Sequence, residues 1–114
     1  MLIGVLRLTL QIPGARSLKD KRRAVRSLKD RVQSRLRASI AEVGALDEHR
    51  RAILGVAVVS NDAARIDELL SAAASMAGND KDAVLIDRAS EIVTLGAEGK
   101  GVGPFADAEP EAWR

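Results

Sequence analysis

The chain of 114 residues contains no cysteine and no tyrosine, and only one histidine, one phenylalanine and one tryptophan. Without cysteine there is no disulfide framework, no thiolate zinc site and no thiol nucleophile. The lone His49 leaves a transition-metal site without a second imidazole, and any serine triad without a choice of base. Phe105 and Trp113 both fall in the last twenty residues, so no strand carries a ring on which a nucleobase could stack. No apolar run reaches the roughly 20 residues that cross a bilayer. The opening MLIGVLRLTLQIPGA is as apolar as a signal peptide, but Arg7 interrupts it and no basic region precedes it; it reads as a strand. These absences predict a cytoplasmic protein with no membrane association, no metal and no cofactor.

Positive charge is abundant and unevenly placed. Residues 1 to 51 hold thirteen basic and five acidic side chains, whereas residues 52 to 114 hold five basic and eleven acidic ones. The net charge of +2 therefore hides a dipolar chain, and such a chain points to a nucleic acid or another anionic surface as partner. The basic excess concentrates between Ser17 and Arg37, where nine Lys and Arg stand against Asp20 and Asp30. At about 100° per residue, Leu18, Val25, Leu28, Val32 and Leu36 fall on one helical stripe. Lys19, Arg22, Arg23, Arg26, Lys29 and Arg37 gather on a flank of it. Lys19/Arg23, Arg22/Arg26 and Arg31/Arg35 are like-charge pairs four residues apart, each costing a few tenths of a kcal/mol. A helix needing only solubility would interleave more Glu. A solvated basic face and an anion-binding ridge both remain open from the sequence alone.

The rest of the chain alternates strand and helix signals. In residues 1 to 12, Leu2, Leu6, Leu8, Leu10 and Ile12 point one way with Gly4, and Ile3, Val5, Arg7, Thr9 and Gln11 the other. Pro13-Gly14 turns the chain, and Ser17 with Asp20 forms a capping box that opens the basic helix. A short strand over residues 39 to 43 and a polar turn over 44 to 49 lead to a strong strand over 52 to 59. Asn61 or Asp62 caps a second helix with the stripe Ile66, Leu69, Leu70, Ala73, Met76 and Ala77. Gly78 is expected as its left-handed stop. Residues 84 to 95 read as a last strand, irregular around Asp87 to Ser90 and suited to a sheet edge. Residues 1 to 95 thus form one domain, and residues 96 to 114 a Gly/Pro/acidic tail.

The order β-α-β-β-α-β, with right-handed crossovers, interleaves the two units in the strand order 4-1-3-2. The predicted fold is therefore a ferredoxin-like α+β sandwich: an antiparallel four-stranded sheet with both helices on one face. The helix-free face would carry Ile3, Val5, Ile53, Ala57 and Val59, too apolar to stay wet. A homodimer through these residues is the expected cover, with the tail through Phe105 or Trp113 as the alternative.

Other constellations are weaker. Asp47 and His49 could form a proton-transfer pair, but they sit in a polar hairpin. Ser60-Asn61-Asp62 leads into a helix N-terminus that could hold an anion, although the charge of Asp62 suits capping better. Gly99-Lys100-Gly101-Val102-Gly103 lacks the spacing and the strand-to-helix setting of a phosphate loop. Nothing demands an enzyme.

Ile12-Pro13-Gly14, Ser17-Leu18-Lys19-Asp20-Lys21-Arg22-Arg23 and Ser27-Leu28-Lys29-Asp30-Arg31 together resemble the small bacterial YlxP-like family. So do Ala41-Glu42-Val43, Asp47, His49, Arg51-Ala52 and the run from Leu54 to Asp62. The resemblance covers about residues 1 to 95 and implies a ferredoxin-like fold of unknown function. Members' genes often neighbour translation and ribosome-maturation genes, which implies an RNA setting. Arg16 stands where members often carry His. The resemblance supplies no catalytic residues. The resulting expectation is a non-enzymatic protein that contacts the phosphates of RNA or of a ribosomal particle through Arg16, Lys19, Arg22, Arg23, Arg26 and Lys29. A homo-oligomeric structural or regulatory module is the alternative.

Overall fold

A computed structural model describes residues 1 to 96. The elements run β1 (Leu2–Gln11), α1 (Leu18–Leu36), β2 (Ser39–Gly44), β3 (Arg51–Ser60), α2 (Ala63–Gly78) and β4 (Val84–Thr94). The sheet order is β2-β3-β1-β4, with every pairing antiparallel. This is the interleaved ferredoxin-like arrangement that the element order predicts.

The period-two pattern of β1 and β3 sets the core. Leu6, Leu8 and Leu10 on β1 and Ala52, Leu54, Val56 and Val58 on β3 are buried under the helices. Val25, Leu28 and Val32 of α1 and Ile66, Leu70, Ala73, Ala74 and Ala77 of α2 complete it. Each fully buried Leu or Ile contributes roughly 1.5–3 kcal/mol of transfer free energy. The alanines let α2 lie close to the sheet, and Gly4 lets it lie closer. A Cβ at Gly4 would overlap Ile66 Cγ2 and press on Val58 Cγ2 at 3.1 Å.

The helix ends are closed by side chains and by backbone. Ser17 Oγ accepts from Asp20 N at 3.2 Å, while the Asp20 carboxylate reaches back to Arg16 N at 2.9 Å, one residue before the cap. α1 ends on Arg37 in the left-handed region, φ 52°, with its N–H donating to Gln33 O. Asp62 caps α2 by accepting from Ala64 N at 3.0 Å. Gly78, expected as a left-handed stop, is instead the last helical residue, and Asn79 follows at φ −101°. The turn that ends α2 is closed by Asn79 N–H on Ser75 O and Asp80 N–H on Ala77 O, so no positive φ is needed.

β4 is at a sheet edge, as its interrupted apolar pattern predicts. Its irregularity falls at Ile86, which the register skips between Thr9↔Asp87 and Leu10↔Leu85, just before the polar run expected to cause it. A bulge there keeps Leu85 on the core side and Asp87 on the open side. The tail from residue 97, with Phe105, Trp113 and the glycine-rich run at 99 to 103, lies outside the described residues.

Candidate nucleic-acid interface

The basic helix is held in place from both flanks. Lys21 occupies the buried stripe of α1, and its side chain is 1% exposed. Its Nζ donates to the carbonyls of Ala45 at 2.9 Å, Arg51 at 3.3 Å and Leu46 at 3.4 Å. Three carbonyls use up the three ammonium hydrogens. The carboxylate of Glu42, with Oε2 at 2.7 Å from Nζ, therefore serves as a counter-charge, and that oxygen has no well-directed donor of its own. Ala45 sits at φ 55° in the β2–β3 turn, a conformation that turns its carbonyl toward the ammonium. Lys21 thus ties the start of α1 to the hairpin.

The other flank is tied by Arg31, whose guanidinium pairs with Asp80 in the α2–β4 loop. The Asp80 side chain is 3% exposed, and its second oxygen accepts from Asp82 N at 3.0 Å and Ala83 N at 2.9 Å. The charge-assisted set fixes the loop and the helix together.

Between these anchors the ridge faces water. Arg16, Lys19, Arg22, Arg23 and Arg26 are exposed, and Lys29 is half-buried, closer to the apolar stripe than the others. None of the six is paired with a carboxylate among the described residues, whereas Arg7, Lys21, Arg31, Arg51 and Arg65 each are. The ridge is not one strip. Arg16 and Arg23 open onto a depression of about 820 Å³ between the β1–α1 turn, α1 and the α2–β4 loop, where Lys81 joins them. Arg22, Arg26 and Lys29 stand on the other side of the buried stripe from Arg31, at about 100° per residue, and so face away from that loop. Lys19 lies with them.

The topology adds cations that spacing in the sequence could not show. Ile12 N donates to Arg50 O at 2.8 Å, which sets the hairpin end beside the start of α1. Arg50 and Lys81 therefore stand at the same end of the molecule as Arg16. They lie more than thirty residues from Arg16 along the chain, and only the fold brings them together. His49 is half-buried in a shallow hollow with Gln11, Glu48, Arg50 and Arg51, which Asp47 does not line. At the start of α2, Asp62 fills the helix N-terminus with its own carboxylate. Among the described residues no group of three or more His, Asp or Glu side chains is placed to hold a metal. No described helix is long and apolar enough to cross a membrane.

Ile3, Val5, Ile53, Ala57 and Val59 do share the sheet face opposite the helices. Ile3 pairs with Val59, Val5 with Ala57 and Thr9 with Ile53. Four of the five are half-buried by their neighbours, and Val59 is 64% exposed.

No curated protein matches the chain. Among solved structures, a de novo designed protein with ferredoxin fold, determined in solution by NMR, superposes with a TM-score of 0.52 at 14% identity, covering 85% of this chain and 90% of that one. At that identity the likeness concerns the fold alone. A family model matches residues 3–89, nearly the whole sandwich, and the chain belongs to that family, described as "Protein of unknown function (DUF503)".

Proposed function

We propose that this protein is a non-enzymatic, cytoplasmic RNA-associated protein that grips the phosphate backbone through α1. The observation that supports it most is the set of ridge cations that have no counter-charge among the described residues, on a helix staked from both flanks. A rigid, unpaired cationic ridge binds a polyanion at little ordering cost. Lys19 to Lys29 spans about 15 Å of helix axis, enough for roughly two or three successive phosphates of one strand. Arg16, Arg50 and Lys81 extend the positive surface around the end of the sandwich.

Binding of this kind draws on released counterions and on phosphate contacts. With no aromatic ring on the sheet, recognition is by backbone shape and charge, with weak sequence preference. The choice of RNA, and of a ribosomal particle as its setting, is supported by the resemblance to the YlxP-like family and its neighbourhood of translation genes. The test is co-sedimentation with ribosomal subunits. Retention at low salt and release at high salt are expected. Absence from the ribosomal pellet at low salt, or retention indifferent to salt, would overturn the proposal.

A further inference from the structure

The sheet face opposite the helices is an ordered surface with a defined chemistry, row by row. Across β3, β1 and β4 the rows are Val59–Ile3–Val93, Ala57–Val5–Glu91, Gly55–Arg7–Ala89 and Ile53–Thr9–Asp87. The first row is aliphatic throughout. The middle rows are floored by small residues: Ala57 and Gly55 on β3, Ala89 on β4, and Ser39 and Ala41 alongside on β2. They leave a depression of about 700 Å³. Val43 and Val59 stand proud of the face, at 59% and 64% exposure. In the centre, Arg7 is 59% exposed and lies 3.8 Å from Asp87, a distance and exposure at which the pair is worth little.

We infer that this face is the contact between two copies of the chain, packed sheet on sheet. Its size is right. Four strands about 4.8 Å apart, three of ten or eleven residues and β2 of six, give on the order of 600 Å² in projection and more as accessible surface, against about 800 Å² per partner in a stable pair. Its shape is right as well, because the small-residue depression can receive aliphatic side chains that protrude from the same face of a second copy.

One arrangement covers the whole face. A two-fold axis running between β3 and β1, parallel to the strands, lays each β1 over the other copy's β3 and each β4 over the other copy's β2. Ile3 then sits over Val59 of the second copy, Val5 over its Ala57, and Arg7 over its Gly55, where the absent side chain leaves room. The helices and the α1 ridge stay on the outside, so the dimer and RNA binding do not compete.

The test uses the full chain in sedimentation equilibrium at about 1–100 µM. A mass of twice 12.2 kDa is expected for the unaltered protein. Val59→Asp, at a position exposed in the single chain, should weaken association at least about tenfold without unfolding it. Val43→Asp, at the other protruding position of the face, should do the same. A full chain that stays monomeric, or a dimer indifferent to both substitutions, would overturn the proposal. Protection of the face from hydrogen exchange in a monomer would hand it to residues 97–114 instead. Neither outcome bears on RNA retention.

Discussion

Replacing Lys21 with Met should be far more damaging than its place in a basic run implies. Met keeps the unbranched stem that fills the α1 stripe but removes the ammonium. Glu42, 17% exposed, then keeps a carboxylate with no counter-charge, and the carbonyls of Ala45, Leu46 and Arg51 lose their donor. Breaking one partner of a buried pair costs about 3–5 kcal/mol, and the partial exposure of Glu42 places this case at the low end. A loss of about 3 kcal/mol would lower the midpoint of thermal unfolding by roughly 12–24 °C in a domain of this size. Changing Glu42 to Leu as well removes the stranded charge, so the double variant should recover part of the loss. Lys19→Met, two residues away and exposed, should stay within about 0.5 kcal/mol. Urea unfolding of the four proteins reads all of this. A cost below about 1 kcal/mol for Lys21→Met, or equal costs at Lys19 and Lys21, would refute the anchor.

Three smaller changes probe other parts of the molecule. Gly4→Val should destabilise by about 3 kcal/mol or prevent folding, since the new side chain enters the space of Ile66, and circular dichroism melts would report it. Asp80→Ala strips the bonds to Asp82 N, Ala83 N and Arg31, for a loss of about 2 kcal/mol in urea unfolding. Arg37→Gly relieves a left-handed φ at the end of α1 and should stabilise by about 0.5 kcal/mol, the gain net of glycine's greater chain entropy.

The topology was legible because it follows from the order of elements and the handedness of crossovers, neither of which needs side-chain detail. The cores of β1, β3 and α1 were legible for the same reason, since period two and period 3.6 dominate those segments. Lys21 was readable in part. It falls among Leu18, Val25 and Leu28 on the helical stripe, and Glu42 shares the core-facing parity of Ile40 in β2. Both positions mark a charge pointing inward, but a run of nine basic residues hides one that differs. The contribution of Arg50 and Lys81 to the basic end was not legible, because loops far apart in the chain meet only in three dimensions. Nor was the position of the bulge. Ile86 is apolar and breaks no pattern, yet it is the residue the register skips so that Leu85 can stay against the core.

The most direct test of the central claim reverses Arg22 and Arg26 to Glu and follows RNA binding against salt. Both side chains are exposed, and although the reversed pair still repels itself, it exchanges repulsion for attraction with Lys19, Arg23 and Lys29 three residues away, so stability should change little. The account predicts a loss of more than about tenfold in RNA or ribosome affinity at low salt. It also predicts a log–log salt slope shallower by roughly 0.7–0.9 for each phosphate that the variant no longer neutralises. A folded variant that binds with undiminished affinity and an unchanged slope would show that the ridge is only a solvated face.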